Sequence, residues 1–254
     1  MMRWGARSIG FAPMDIVDAA GGRATVLLVA ADAREFEGLL NFCQNVRPAR
    51  LPVHWARRGS LNGREVLLIA NGAGAGRAAG AVDAALAVAS VETVCSVGFC
   101  GALKSGMKPG EIFVANRVQS NGREYPVSVP STRRPHHTGA LASIDRVAQT
   151  AREKADLREK GASAVEMEAA GTATRAAELG LKFYCVRSVT DLAEEDFGFD
   201  FNAALRSDGR FDTMRLIAAA CRRPRTLLPE LLRLRLRCRL AAETLGEFIA
   251  DCRF

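Results

Sequence analysis

The chain has 254 residues, of which 48% are hydrophobic and 25% charged, so it has the material for one large folded domain and is neither disordered nor fibrous. The formal net charge is +7, and seven arginines crowd the segment from residue 222 to residue 239 in the last quarter of the chain. Aromatic residues make up only 6% and no nucleic-acid-binding motif accompanies these arginines, so we expect no nucleic acid partner.

Apolar runs alternate with helical patterns along the first half of the chain. The run at 25–31 (TVLLVAA) is continuously apolar, which is typical of a strand buried on both faces. Predicted strands cover 25–31, 65–70 and 91–97, predicted helices cover 32–42 and 77–89, and glycine-rich turns are predicted at 72–76 and 98–102.

The same alternation continues in the second half. A polar segment at 120–138 holds three prolines and a histidine pair, and it is predicted to be a loop. Strands are predicted at 111–118 and 183–189, a short strand or turn at 163–166, helices at 145–160, 167–179, 210–221 and 229–250, and an acidic loop at 191–200.

Alternating strands and helices predict an α/β fold. We expect a single domain over 24–254 with a mostly parallel, twisted, mixed central sheet flanked by helices. A leader at 1–23 precedes it, and an Arg/Leu-rich helix from about residue 227 ends it. The leader lacks the apolar core of a signal peptide. In such sheets, ligands bind beyond the carboxyl ends of the strands.

The cysteines and histidines argue against a disulfide framework or a metal site. Seven cysteines occur without any C-x-x-C pair, and several lie in apolar runs, which is typical of reduced thiols in a cytoplasmic protein. Only three histidines are present. We therefore expect a cytoplasmic protein without a bound metal.

Three segments carry the chemistry: VGFCGALKSGMKPGEIFVA at 97–115, AVEMEAAGTA at 164–173 and VRSVTDLAEED at 186–196. With VLLVAADAREFEGLL near the start and GAGAGRAAGA in the second turn, their order resembles the nucleoside phosphorylase and methylthioadenosine nucleosidase superfamily, which includes purine and uridine phosphorylases. The resemblance spans roughly residues 24 to 220. It implies cleavage of the N-glycosidic bond of a purine nucleoside, a homo-oligomer, and neither metal nor organic cofactor.

The resemblance assigns roles to two carboxylates. Asp191 matches the aspartate that protonates the departing base near N7, and Thr190 beside it orients that carboxyl group. Glu168 matches the glutamate that accepts the ribose 2′- and 3′-hydroxyls, and Met167 packs against the ribose. Acid catalysis is needed because breaking the bond builds negative charge on the base and positive charge on the sugar.

Further residues follow from the same resemblance. Glu35 matches the glutamate that orients attacking water in nucleosidases, with Glu37 as the alternative two residues on. Arg187 matches an arginine near that water or near phosphate, and a charge in an apolar strand needs a partner, for which Glu35 is one candidate. The base pocket is expected to include Phe99, Cys100, Gly101 and Thr190.

The chain departs from the family at the third strand. Hexameric purine phosphorylases carry Arg-Val-Gly-Ser-Cys-Gly-Ala there, whereas this chain has Ser96 for the arginine and Phe99 for the serine. Both changes remove anion ligands, which favours hydrolysis over phosphorolysis, although Arg77 in the glycine-rich turn could still supply positive charge. A phosphorylase with inorganic phosphate as co-substrate, and a nucleoside-binding protein without turnover, stay open as alternatives.

The C-terminal segment PELLRLRLRCRLAAETLGEFIADC mixes leucine with arginine. The favoured interpretation is a helix that faces solvent or another subunit. Contact with an anionic membrane, suited to a nucleoside with a lipid tail as in the hopanoid-associated members of the superfamily, is the less favoured alternative.

Overall fold

The computed structural model describes residues 25–254, so the predicted leader at 1–23 lies outside the described residues. Ten strands form one mixed sheet. They are β1 (Thr25–Ala30), β2 (Gln44–Pro48), β3 (Trp55–Leu61), β4 (Arg64–Ala70), β5 (Val91–Ala102), β6 (Ile112–Ser120), β7 (Arg123–Pro126), β8 (His137–Ser143), β9 (Ala164–Glu166) and β10 (Lys182–Asp191).

The middle of the sheet is parallel. Strand β1 lies between β4 and β5, and β5 also pairs in parallel with β10. Antiparallel pairs β3–β4 and β2–β3 extend one side. On the other side β10, β6, β8 and β9 pair in turn, and β9 returns to the end of β5. This part of the sheet is therefore closed into a ring, and its last link is at Gly101 and Ala102.

The helices cover both faces of the sheet. A 3-10 turn at Ala33–Phe36 leads into α1 (Glu37–Leu40). The others are α2 (Ala75–Leu86), α3 (Ala151–Glu159), α4 (Ala169–Glu178), α5 (Phe201–Ala204), α6 (Thr213–Arg222) and α7 (Pro224–Asp251). The single α/β domain with a mixed sheet flanked by helices, which the sequence predicted, is confirmed.

Apolar burial explains why the central strands sit where they do. All six residues of β1 are buried, as the continuous apolar run predicted. Its side chains alternate between two clusters on opposite faces of the sheet: Leu28 packs with Phe248 of α7, and Leu27 packs with Val82 of α2. Helix α7 is thereby fixed across one face, and its close approach to α1 depends on Gly38 and Gly246, where an added Cβ would overlap backbone.

Several predicted boundaries were wrong. The glycine-rich segment at 98–102 is not a turn, because β5 continues to Ala102 and pairs with β10 and β9 there. The predicted loop at 120–138 contains β7 and the start of β8. The helix predicted from 145 begins only at Ala151, where Thr150 forms a capping box with Glu153. Strands β2 and β3 were not predicted.

In the described part of the chain, no helix has the length and apolar character needed to span a bilayer.

Candidate active site

The predicted site residues collect where β1, β5 and β10 end. Glu35 follows β1, Asp191 ends β10, and Glu168 precedes α4 directly after β9. All three carboxylate residues are nearly closed off from solvent, with 6%, 8% and 9% of their surfaces exposed. Since buried carboxylates are uncommon without a partner or a function, each one needs an account of what it contacts.

Glu35 is held by backbone amides. One carboxylate oxygen accepts from the Phe99 amide at 2.8 Å, and the other accepts from the amides of Ala31 and Asp32 at 2.9 Å. Burial raises the pKa of Glu35 above its usual range. Glu37 is exposed, so of the two alternatives only Glu35 lies at the strand ends.

Asp191 has a cationic partner that sequence reasoning missed. The ammonium group of Lys154 lies 2.6 Å from Asp191 Oδ2, and Lys154 is completely buried. The same ammonium group donates to the Leu192 carbonyl at 2.7 Å. The Thr190 hydroxyl donates to Asp191 Oδ1 at 3.0 Å. Asp191 is therefore held from both oxygens.

Glu168 lies opposite the glycine-rich turn before α2. Its Oε1 accepts from the Gly74 amide at 3.0 Å. Gly171 makes this approach possible because any side chain there would overlap the Ala75 carbonyl. Burial, together with the neighbouring carboxylate of Glu166, raises the pKa of Glu168 to about 8. Glu168 therefore binds a proton more readily than an exposed glutamate does.

Arg187 pairs with Glu166 and not with Glu35, which corrects the predicted partnership. Its guanidinium lies 2.5 Å from Glu166 Oε2 and donates to Ser96 Oγ at 2.7 Å. Glu166 also accepts from the amides of Glu168 and Ala169, so it caps α4. The buried pair therefore fixes the start of α4, and with it the position of Glu168, against β10.

Two glycines of β5 explain how the carboxylates reach the sheet. A Cβ at Gly98 would lie 2.5 Å from Glu35 Oε1, and a Cβ at Gly101 would lie 2.7 Å from Asp191 Oδ2. The small-residue segment predicted to be a turn is thus a strand whose missing side chains make room for two acids. Cys100 between them is buried, and burial raises the pKa of its thiol well above the usual range, so it is unsuited to act as a nucleophile.

The remaining predicted residues occupy different positions. Met167 is buried beside Glu168, and Phe99 is partly exposed and donates its amide to Glu35. Arg77 does not point a free charge at the carboxylates: its guanidinium donates to the Ser207 carbonyl at 2.7 Å and ties down the 206–210 segment. Its predicted role in binding phosphate has no support from this contact.

Helix α7 passes close to the site. Cys238 lies within electrostatic range of Glu35 and Asp191, and burial raises the pKa of its thiol to about 11. Arg237, its neighbour, pairs with Glu195 at 2.6 Å in the loop after β10. The helix is thereby fastened to the segment that follows Asp191. Among residues 25–254 there is no group of three or more His, Cys, Asp or Glu side chains arranged to hold a metal ion.

Lys154 and Glu166 are the residues that the sequence did not assign to the site. Lys154 lies in a strongly charged helix, AREKADLRE, in which it is the only buried residue. No periodicity distinguishes it from the exposed lysines and arginines around it. Glu166 had a visible signal, since a glutamate before a helix start is a common N-terminal cap, but its pairing with Arg187 depends on sheet register.

The amino-acid sequence matches the model of a known family. The model of the phosphorylase superfamily matches residues 25–134 and 128–212, which is most of the chain. The chain belongs to the phosphorylase superfamily, and both the resemblance drawn from its motifs and the prediction of an enzyme are confirmed.

Several solved structures share this fold. A 5′-methylthioadenosine/S-adenosylhomocysteine nucleosidase from Neisseria meningitidis is 19% identical with a TM-score of 0.68, and the match covers 89% of this chain and 97% of that one. An S-adenosylhomocysteine nucleosidase from Streptococcus pyogenes is 16% identical with a TM-score of 0.68 and coverage of 91% and 97%. A futalosine hydrolase mutant from Helicobacter pylori is 15% identical with a TM-score of 0.67 and coverage of 90% and 97%. No curated protein matches the chain by sequence.

Proposed function

We propose that this protein hydrolyses the N-glycosidic bond of a purine nucleoside. The observation that supports this function best is the convergence of Glu35, Glu168 and Asp191 at the end of β5. Gly101 pairs with Val165, three residues before Glu168, and also with Asp191. The two carboxylates assigned to the sugar and to the base therefore meet at one edge of the sheet, where an α/β protein binds its ligand.

The sugar is held by Glu168. A carboxylate accepts two hydroxyl donors at once, and its charge stabilises the positive character that grows on the ribose as the bond breaks. The pKa of Glu168 is about 8 without ligand. Ribose hydroxyls that donate hydrogen bonds to the carboxylate stabilise its charged form and lower this pKa, so we expect binding at neutral pH to release a proton.

The base leaves with a proton from Asp191. The C1′–N9 bond breaks, its electron pair goes to the base, and Asp191 gives a proton to the base at N7. The Lys154 ammonium group lies 2.6 Å from Asp191 Oδ2, so it can supply the proton that passes through this carboxylate to N7, which leaves a neutral amine and a carboxylate. A positioned acid of this kind contributes about 10²- to 10⁴-fold in rate.

Water attacks C1′ from the side of Glu35. The incoming oxygen forms the new bond to carbon, and its proton goes to the carboxylate of Glu35. Burial raises the pKa of Glu35, which makes its carboxylate a stronger base than an exposed glutamate. Three backbone amides hold both carboxylate oxygens in place, so the geometry of this base does not depend on a mobile side-chain partner.

The charge balance favours hydrolysis over phosphorolysis. Both buried cations at the site are already paired: Arg187 with Glu166, and Lys154 with Asp191. A phosphate dianion would therefore enter beside carboxylates, and neither Arg187 nor Lys154 would be free to balance its charge. Water carries no charge and avoids this cost.

Purine nucleosides with a modified 5′ group are the first candidates for the substrate. The neighbour from Neisseria meningitidis is a nucleosidase for 5′-methylthioadenosine and S-adenosylhomocysteine, and it was solved with methylthio-immucillin-A.

A panel of adenosine, inosine, 5′-methylthioadenosine and S-adenosylhomocysteine, with and without phosphate, tests the proposal by chromatography of the free base and ³¹P NMR of the sugar. We expect base release without phosphate and no sugar phosphate. Release that requires phosphate would establish a phosphorylase, and tight nucleoside binding without release would establish a binding protein.

A further inference from the structure

A row of leucines lies exposed along the first half of α7. They are spaced four residues apart, so each is displaced by about 40° around the helix axis from the one before it, and together they form a ridge about 18 Å long. This leucine ridge consists of Leu228, Leu232, Leu236 and Leu240, which are 44–68% exposed.

The opposite face of the same helix is the one that packs against the protein. Leu227 is buried against Phe199 and Ala220, and the buried carboxylate of Glu230 accepts from the Gly198 amide. Ala241, further along the helix on the same side, is completely buried. Leu228, Leu232 and Leu236 therefore point away from the fold, whereas Leu240 at the end of the ridge also packs over Gly110 and keeps 44% of its surface exposed. An apolar strip of this kind on a folded surface marks an interaction site.

Arginines flank the leucine ridge on both sides. Arg233 follows Leu232 by one residue, whereas Arg235 precedes Leu236 by one residue. One residue corresponds to about 100° around the axis, so these two guanidinium groups lie on opposite flanks. Arg235 is exposed, and Arg233 keeps about half of its side-chain surface exposed although it pairs with Glu195.

The positive charge extends to both ends of the ridge. Arg222 ends α6, Arg223 and Arg225 lie at the start of α7, and all three are exposed. Arg239 lies near the other end, where Glu243 pairs with it. The whole chain carries a net charge of +7, so the face around the ridge contributes much of a strongly positive surface.

We propose that the leucine ridge docks the protein onto an anionic lipid surface. A helix with leucines along its exposed crest and arginines on both flanks matches an interface at which acyl chains lie beneath negatively charged headgroups. Self-association through the ridge would bring the arginine flanks of two copies together, which like-charge repulsion opposes. The proposal concerns the outer face of α7 and does not rest on the proposed function.

Vesicle sedimentation with the full-length protein tests this proposal. The probes are vesicles of phosphatidylcholine alone and of phosphatidylcholine mixed with phosphatidylglycerol, each at low and high salt. We expect sedimentation with the anionic vesicles at low salt, little with the neutral ones, and weakening as salt screens the arginines. Replacement of two crest leucines, Leu232→Gln with Leu236→Gln, should reduce the bound fraction about tenfold.

A matched control separates the ridge from general surface hydrophobicity. Leu179→Gln changes a leucine that is 42% exposed at the end of α4, outside the ridge, and it should leave vesicle binding unchanged. Thermal unfolding midpoints confirm that both variants are folded. Absence of sedimentation at low salt, or equal binding by the two variants, overturns the proposal. Loss of a stable dimer in the ridge variant without any vesicle binding also overturns it and identifies an interface between copies.

Discussion

Replacing Gly101 by alanine should displace the carboxylate of Asp191, which we propose protonates the base, while leaving the fold almost intact. The added Cβ would lie 2.7 Å from Asp191 Oδ2, about 0.7 Å closer than an ordinary contact of about 3.4 Å. Oδ2 is the oxygen paired with Lys154, so the carboxylate cannot move without disturbing that pair. The backbone of Gly101 is not in the left-handed region, and alanine is therefore compatible with it.

A misplacement of about 1 Å typically costs about 100-fold in rate, so we expect kcat/KM of Gly101→Ala to fall by about 10- to 100-fold. Steady-state release of free base from 5′-methylthioadenosine, or from the best substrate of the panel, measures the effect. Gly76→Ala is the matched control because its Cβ meets open space in α2, and it should keep full activity. Equal activity of the two variants would refute the placement of Asp191 beside the reacting base.

Three further substitutions test the other charged groups of the site. Lys154→Met leaves the Asp191 carboxylate buried without a cation, so it should cost about 3 to 5 kcal/mol in urea unfolding, and adding Asp191→Asn should recover part of that loss. The pKa of Glu168 is about 8 in the folded protein, whereas its ordinary value is 4.5. The folded state therefore binds the proton more tightly than the unfolded state does, which stabilises the fold fully below pH 4.5, and this stabilisation is lost as the pH rises through 8. Glu168→Gln cannot titrate and should flatten the fall of the unfolding midpoint between those pH values; an unchanged pH profile would contradict the assignment. Glu35→Gln should lower kcat by about 10²- to 10⁴-fold, whereas Glu37→Gln, an exposed control, should not change it.

The central strands and the acids after them could be predicted from the sequence because their signals are local. The apolar run of β1 has a single consistent interpretation, and Asp191 follows directly after another such run. The strand order that brings Glu168 to the same edge of the sheet as Asp191 has no such local signal in the sequence. It depends on β9, which is three residues long and joins β5 only at Gly101 and Ala102.

Other features could not be predicted because they depend on contacts distant in sequence. Lys154 and Asp191 are 37 positions apart, and the burial of this lysine results from the loop after β10 folding over α3. Arg187 was expected to need a partner, but three buried glutamates lie at the site, and the register of β9 places Glu166 against it. The glycines of β5 resemble a turn in sequence, and only the positions of Glu35 and Asp191 explain them.

If Asp191 and Glu168 act together on one bound nucleoside, Asp191→Asn must slow base release without abolishing binding. We expect free purine from the wild type without phosphate, and a loss of at least about 100-fold in kcat for the variant while nucleoside binding persists. A variant that releases base as fast as the wild type would contradict it.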